Sequence, residues 1–461
     1  MIGTIFVAVQ LDIANLINQK SFVMKKAYFL LALLFLCSFA NSQVTLTAVV
    51  VKKFSDYQVG DSVKLYGFTK SRFDDSEEVL IKKGAEYKAV SASKFSINGT
   101  QMGFWDNLWF YNRSGEVLTK GWENDLRTDL LMDCREFIQN LQKNKLLFED
   151  DYLQDYLSQL VHKICPTRLN KQKNSQLTVY VMKSRDPQSF SFDNGTIVIS
   201  SALLAGANTE GDLVKILSKE ITNVVLEHNL LNLKQQIWAQ RTTNFWTGFA
   251  EVAATAAAIS NSGNGSNNFT YGDAIAITLA ANLISSGIME RIGANYTVDQ
   301  LSKADFYSNL FLKTGYSKME HKTPDEYTRI ISDVISYTSW QNLYALNYSD
   351  AINLINRLEN AGVATEDDYL LKAKIYRTLY NTDESNYEAL RFVAKAKTIG
   401  LTKLVDLDKE EGLLYLRIGD KAKAKLAFEE YRTGLEDIQA KGGDNSTEIR
   451  WVKNIMFKNN L

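Results

Sequence analysis

Between Leu177 and His228 the chain switches its apolar spacing, and this switch limits the fold more than any other stretch. Leu177-Thr178-Val179-Tyr180-Val181-Met182 is rich in β-branched and aromatic residues and reads as a strand. Ser189 to Ser201 reads as a hairpin, with Asp193-Asn194-Gly195 as its turn and Thr196-Ile197-Val198-Ile199 returning. Apolar spacing then becomes helical, and a helix is expected from about Glu210 to His228.

The flanks carry different signals. Residues 44–120 read as β: Val44 to Val51 is rich in β-branched residues, and Ser62-Val63-Lys64-Leu65-Tyr66 alternates polar with apolar. Trp109-Phe110-Tyr111 then leads into the turn Asn112-Arg113-Ser114-Gly115. Short strands separated by turn signals predict a small β-barrel or sandwich. Helical spacing follows over 123–168. Leu126, Leu130, Leu131 and Phe137 form one stripe, and Tyr152, Leu153, Tyr156, Leu157 and Leu160 form another that Pro166 ends. Two apolar tracts, Phe249–Ile259 and Ala274–Ile288, flank a Gly/Ser/Asn loop and read as a buried helical hairpin or as a lid. From Tyr327 the chain is helical, and only three prolines in 461 residues fit long continuous helices. Tyr369–Tyr376 is echoed by Gly412–Asp420, which continues to Ala424, Ala427, Phe428 and Tyr431. These small residues and the Gly-Asp turn resemble tetratricopeptide repeats, whose stacked helix pairs make a concave surface for an extended peptide.

Composition excludes one class of partner. With 52 basic against 53 acidic residues the net charge is -1, so no global field draws the chain to nucleic acid. The N-terminal stretch carries an address: Lys25-Lys26, an apolar run from Ala27 to Leu36, and the small triplet Ala40-Asn41-Ser42. This is the layout of a secretory signal spanning residues 1–42, with Met24 as the expected start and cleavage after Ser42. Leu36 before Cys37 is too bulky for a lipoprotein signal, so soluble export to the periplasm or cell envelope is expected; membrane attachment stays open, without an integral span. Past the signal two cysteines remain. In an oxidising compartment Cys134 and Cys165 form either one disulfide or two buried thiols, and both readings stay open.

Gln188-Ser189-Phe190-Ser191-Phe192-Asp193-Asn194-Gly195-Thr196-Ile197-Val198-Ile199-Ser200-Ser201-Ala202-Leu203-Leu204 closely resembles a signature of the BepA/HtpX-like zinc metallopeptidases, N-A-F-x-x-P-N-G-x-I-x-I-x-x-G-L-L. The resemblance extends over roughly residues 125–320, and a member of this kind also places tetratricopeptide repeats after its protease domain. It implies a zincin-like α+β fold. In that family the helix after the hairpin carries H-E-x-x-H, because histidines at i and i+4 share one helix face and reach the same zinc. The glutamate between them polarises the zinc-bound water. A third ligand, a glutamate, stands on a later helix four residues before the aspartate of an Ala-Asp pair.

Laid on this pattern, Lys219 takes the first histidine's place, Asn223 the second's, and Leu301 that of the third ligand. Glu220 keeps the general-base position, and Asp305 is kept in Leu301-Ser302-Lys303-Ala304-Asp305. An ammonium has no lone pair for a metal, leucine offers no donor, and a carboxamide is poorly matched to zinc. The chain has three histidines, His162, His228 and His321. On a continuous helix His228 would lie about 13 Å along the axis from Lys219 and could replace neither ligand. Lys219 is expected either to pair with a carboxylate, for which Asp305 is better placed than the adjacent Glu220, or to extend into solvent. Glu220 reads either as a retained base or as a structural carboxylate.

Other motifs are weaker. Ser200-Ser201 forms no nucleophile elbow, Gly263-Asn264-Gly265 lacks the surroundings of a phosphate loop, and Lys421, Lys423 and Lys425 read as a solvated helix face. Three parts are therefore expected: a β module over 43–120, a metallopeptidase-like domain over 121–325 and helical repeats over 326–461. The expected function is non-catalytic binding of polypeptides or envelope proteins, as chaperone or scaffold, with no cofactor. The alternatives are a zinc-dependent metalloendopeptidase with a divergent metal site, and a structural partner docked on an active relative.

Overall fold

The computed structural model describes residues 46–71, 76–99, 101, 104–105, 108, 122–166, 177–239, 296–400 and 404–461. The expected signal segment, the strand at Trp109–Tyr111 and the alanine-rich tracts of 245–290 lie outside the described residues. Among the described residues no helix is long and apolar enough to cross a membrane.

The first part is a sheet of β1 (Leu46–Val50), β2 (Ser62–Lys70), β3 (Glu77–Lys83), β4 (Glu86–Ser91) and β5 (Phe95–Ile97). Its order is β4-β3-β2-β1-β5, with every pair antiparallel. Alternation buries Leu46, Ala48 and Val50 on one face, joined by Val63, Leu65, Val79, Ile81, Phe95 and Ile97. The described strands form one open sheet, not the predicted barrel or sandwich. The reason is that a helix covers the apolar face.

Next come α1 (Trp122–Lys143), α2 (Asp151–Ile164), β6 (Thr178–Met182), β7 (Ser189–Ser191), β8 (Thr196–Ser200) and α3 (Ser201–Gly206). They are followed by α4 (Glu210–Leu226), α5 (His228–Ala239) and α6 (Val298–Thr314). The strands form a second sheet of order β6-β8-β7, with β6 parallel and β7 antiparallel to β8. The expected hairpin is thus present, and Gly195 turns it at φ +99°. Capping boxes start α4 (Thr209 with Asp212) and α6 (Thr297 with Gln300). A Ser218–Ser308 hydroxyl contact of 2.6 Å ties the two helices together.

Helix α6 supplies the second layer of the β module. Phe306, Tyr307 and Phe311 join its core, and Tyr307 donates to the Phe68 carbonyl at 3.1 Å. At the end of α6 Gly99 donates its N–H to the Thr314 carbonyl at 2.8 Å. A Cβ on Gly99 would lie 2.7 Å from the Gly315 nitrogen, so two backbones meet where only glycine fits. Gly99→Ala is expected to lower stability by about 1–3 kcal/mol, as overpacking against unyielding backbone does. Denaturant unfolding of both proteins checks this.

The last part is helical: α7 (Pro324–Ile330), α8 (Ser332–Tyr344), α9 (Tyr348–Asn360), α10 (Glu366–Leu379), α11 (Asp383–Ile399), α12 (Val405–Ile418), α13 (Lys421–Ala440) and α14 (Ser446–Asn459). Helices pair as α8–α9, α10–α11 and α12–α13, and the first members begin at Ser332, Glu366 and Val405, 34 and 39 residues apart. The echoed stretches both fall on first members: Tyr369–Tyr376 in α10, and Gly412 onward in α12. Arg377 of α10 donates to Glu410 of α12 at 2.5 and 3.0 Å, tying successive pairs. The α12–α13 turn uses Gly419 at φ +87°, whereas the α8–α9 turn places Leu346 at φ +61°. The first three of these helices pack directly on the segment before them. Tyr327, Ile330, Ile331, Val334, Ile335 and Leu358 share one core with Leu204, Ala205 and Ala207, and Arg357 donates to the Ala205 carbonyl at 2.8 Å.

No disulfide joins Cys134 and Cys165, which corrects the bridged reading. Both are buried, but Cys134 belongs to the core of α1 and the hairpin, and Cys165 to the larger core shared with the β module. Apolar packing holds the two sulfurs in separate clusters.

Candidate functional site

The site is built on α4 and α6, with the β7–β8 hairpin beside it. Two faces of α4 carry its polar residues in opposite directions. Lys219 is half-exposed, whereas Glu220 and Asn223 are buried.

On the open side Lys219 Nζ lies 2.9 Å from Asp305 Oδ1 of α6, the first of the two outcomes expected for it. The two side chains are 33% and 51% exposed, so water screens the pair. Asp305→Asn is accordingly expected to cost less than about 1 kcal/mol, to be read from denaturant midpoints. Leu301 stands one turn earlier on α6. With Val298, Asp305, Phe306, Lys313 and Glu77 it lines an open cleft of about 560 Å³ between α6 and the β module.

On the buried side a chain of hydrogen bonds runs inward. Ser189 of β7 donates to Glu220 Oε1 at 2.7 Å, and Asn223 Nδ2 donates to Oε2 at 3.1 Å. Ser191 donates to the Glu220 main-chain carbonyl at 3.3 Å. Asn223 Oδ1 then accepts from His228 Nδ1 at 2.9 Å. Because the Asn223 amide nitrogen faces Glu220, its oxygen faces the imidazole, and His228 carries its proton on Nδ1. Burial pushes the Glu220 carboxyl above its ordinary range, opposed by the bonds from Ser189, Asn223 and Ser191 and by the Lys219 charge. Burial first, and then the nearby Glu220 charge, also raise the Tyr296 hydroxyl.

The position of His228 corrects the expectation of one helix from Glu210 to His228. Helix α4 ends at Leu226, and Glu227 adopts the left-handed conformation at φ +49° and ψ +49°. The chain turns back there, so His228 reaches Asn223 instead of continuing along the axis. Arg127 of α1 holds this corner by donating to Glu227 Oε2 at 3.1 and 3.2 Å. Leu230 N–H donates to Asp193 at 2.8 Å, and Asn229 bonds the Ser191 carbonyl, which pins α5 to the hairpin. Nothing in Leu226-Glu227-His228 signals this reversal, because no glycine or proline marks it. The bonds of Ser189 and Ser191 to Glu220 and of His228 to Asn223 are therefore what pattern reading missed. Only the place of Ser189 and Ser191 within the signature stretch could have drawn notice.

Zinc does not fit this donor set. Lys219 presents an ammonium already paired with Asp305, Leu301 presents only carbon, and both ends of the Asn223 amide are bonded within the protein. Among the described residues no group of three or more His, Cys, Asp or Glu is placed to hold a metal ion. His162 and His321 lie elsewhere: His162 is on the last turn of α2, and the His321 ring packs tilted against Tyr316.

Residues 151–322 match the profile of Peptidase family M48. Over 100 residues the chain is 22% identical to a Vibrio cholerae serotype O1 protein named as a beta-barrel assembly-enhancing protease. That match takes in 22% of this chain and 20% of the relative, about a fifth of the relative's length.

Proposed function

Residues 151–322 are a peptidase family M48 domain of the BepA/HtpX-like kind, and from this premise we propose that the protein is a non-catalytic member that binds polypeptides in the cell envelope. One observation carries the reading: all three ligand positions hold residues that do not bind zinc, and two of them are committed to other partners. Lys219 is paired with Asp305, and Asn223 bridges Glu220 and His228. Without a metal, water near Glu220 keeps a pKa close to that of bulk water, which removes several powers of ten in rate. Glu220 then acts as a structural carboxylate, satisfied by Ser189 and Asn223. The helix pairs after residue 330, with first helices 34 and 39 residues apart, support a tetratricopeptide reading. Such pairs offer an extended peptide a surface. The N-terminal signal pattern supports export, and the relative's name supports a role with envelope proteins, as chaperone or scaffold.

The second reading, a metalloendopeptidase with a divergent site, is favoured by the family match and by Glu220 standing at the base position. A labelled unfolded polypeptide separates the two. Under the first reading it binds and its intact mass is unchanged after prolonged incubation, with or without chelator. Chelator-sensitive cleavage would establish the second.

A further inference from the structure

A second cleft, of about 570 Å³, lies where the helical part meets the peptidase domain. It is lined by the loop between β6 and β7, by α3, and by α8, α9 and their connecting turn. Its volume falls within the range of about 300–1,000 Å³ typical of ligand sites. The lining is not that of a closed interface. Arg185, Asn342 and Asn353 all face it, and among the described residues none of these three side chains has a hydrogen-bond or ion-pair partner. Ala202 and Leu354 add an apolar part to the wall. Asp350, also on the wall, is engaged by Asn347 at 2.6 Å.

The rim carries an independent feature. Leu346, between the lining residues Ala345 and Asn347, holds a left-handed φ of +61° with its side chain 68% exposed. Its N–H donates to the Leu343 carbonyl and that of Asn347 to the Asn342 carbonyl, a helix ending that favours glycine. The matching turn after α12 does use Gly419. Here a strained backbone presents a leucine to solvent beside the cleft, and such strain concentrates at functional positions.

We propose that this cleft holds an extended segment of polypeptide through its main-chain amides. A carboxamide joins a donor and an acceptor in one plane, so Asn342 and Asn353 complement the N–H and C=O that an extended chain leaves unpaired, whatever its sequence. Arg185 engages a carboxylate of the segment with its planar fork. Leu346, Leu354 and Ala202 contact its apolar side chains. The proposal rests on the polypeptide-binding reading and assigns that binding to a place apart from the α4–α6 site.

The test uses the full chain and fluorescein-labelled, reduced and carboxymethylated α-lactalbumin, a permanently unfolded acidic polypeptide, followed by anisotropy. Asn342→Ala with Asn353→Ala is expected to weaken binding about tenfold or more, as loss of two hydrogen-bonding groups would. Arg185→Glu, in an exposed loop, is expected to weaken it severalfold, with the effect fading at high salt. In the unmodified chain the probe should slow amide hydrogen exchange over 342–354. Should the double variant fail to fold, Arg185→Glu and the exchange measurement decide. Unchanged affinity in Arg185→Glu with protection elsewhere would overturn the cleft and leave polypeptide binding standing. No binding by the unmodified protein would overturn the polypeptide-binding reading itself.

Discussion

Equilibrated with zinc and then desalted, the purified protein is expected to retain well below one equivalent of the metal, and chelator is expected to leave its unfolding transition unmoved. Zinc held by protein ligands contributes on the order of 10 kcal/mol, and that energy comes from thiolate, imidazole or carboxylate donors. At Lys219, Asn223 and Leu301, where the family resemblance puts the ligands, this chain offers an ammonium, a carboxamide and an isobutyl group. The ammonium is neutralised by Asp305 and the carboxamide is bonded at both ends, so neither is free to turn toward a cation. Metal analysis by mass spectrometry makes the measurement. Lys219→His, Asn223→His and Leu301→Glu together rebuild the donor set and are expected to raise retention toward one equivalent. Near-stoichiometric zinc in the unmodified protein, lost on mutation of Glu220 or Asp305, would reverse the reading and restore an active peptidase.

The second large effect concerns Glu220 and pH. Burial raises its carboxyl above the ordinary range in the folded protein, so the fold binds this proton more tightly than the unfolded chain does. Its contribution to stability is therefore present below the ordinary glutamate value and is lost as pH rises through the raised folded value. Glu220→Gln keeps the shape and removes the charge, with Ser189 left to accept from the new amide. The variant is expected to exceed the unmodified protein in stability at pH 8 by on the order of 1 kcal/mol or more, with the difference shrinking toward pH 4. Urea unfolding across that range provides the test. A difference independent of pH, or an unmodified protein that gains on the variant as pH rises, would mean that the ionised carboxylate is fully compensated where it lies. Asn223→Ala should act in the opposite sense at neutral pH. It strips one bond each from buried Glu220 and His228, at a cost of about 2–4 kcal/mol.

Much of the architecture is written in local pattern. Alternation at Ser62–Tyr66, the Asp193-Asn194-Gly195 turn and the helical stripe of α2 each need only a few adjacent residues to be read, and each matches an element of the structure. The expectation at Lys219 and Asn223 could be written for a similar reason, because H-E-x-x-H spacing is a property of one helix. The Lys219–Asp305 pair needed two helices but only one register, and a kept Ala-Asp pair supplied it.

What tertiary structure decided are the contacts that cross elements without leaving a spacing in the chain. The covering of the β sheet by Phe306, Tyr307 and Phe311 is one such contact, since an apolar strand face does not say whether a sheet or a helix will bury it. The separation of Cys134 from Cys165 is another, set by which core each helix enters. The turn at Glu227 is the most consequential. An acidic residue in a left-handed conformation has no sequence signature, and it is held there by Arg127, 100 residues away. That one corner brings His228 to Asn223 and completes the network around Glu220. Residue spacing therefore pointed to Lys219, Asn223 and Leu301, and long-range packing determined what surrounds them, because buried polar groups must find partners wherever the fold puts them.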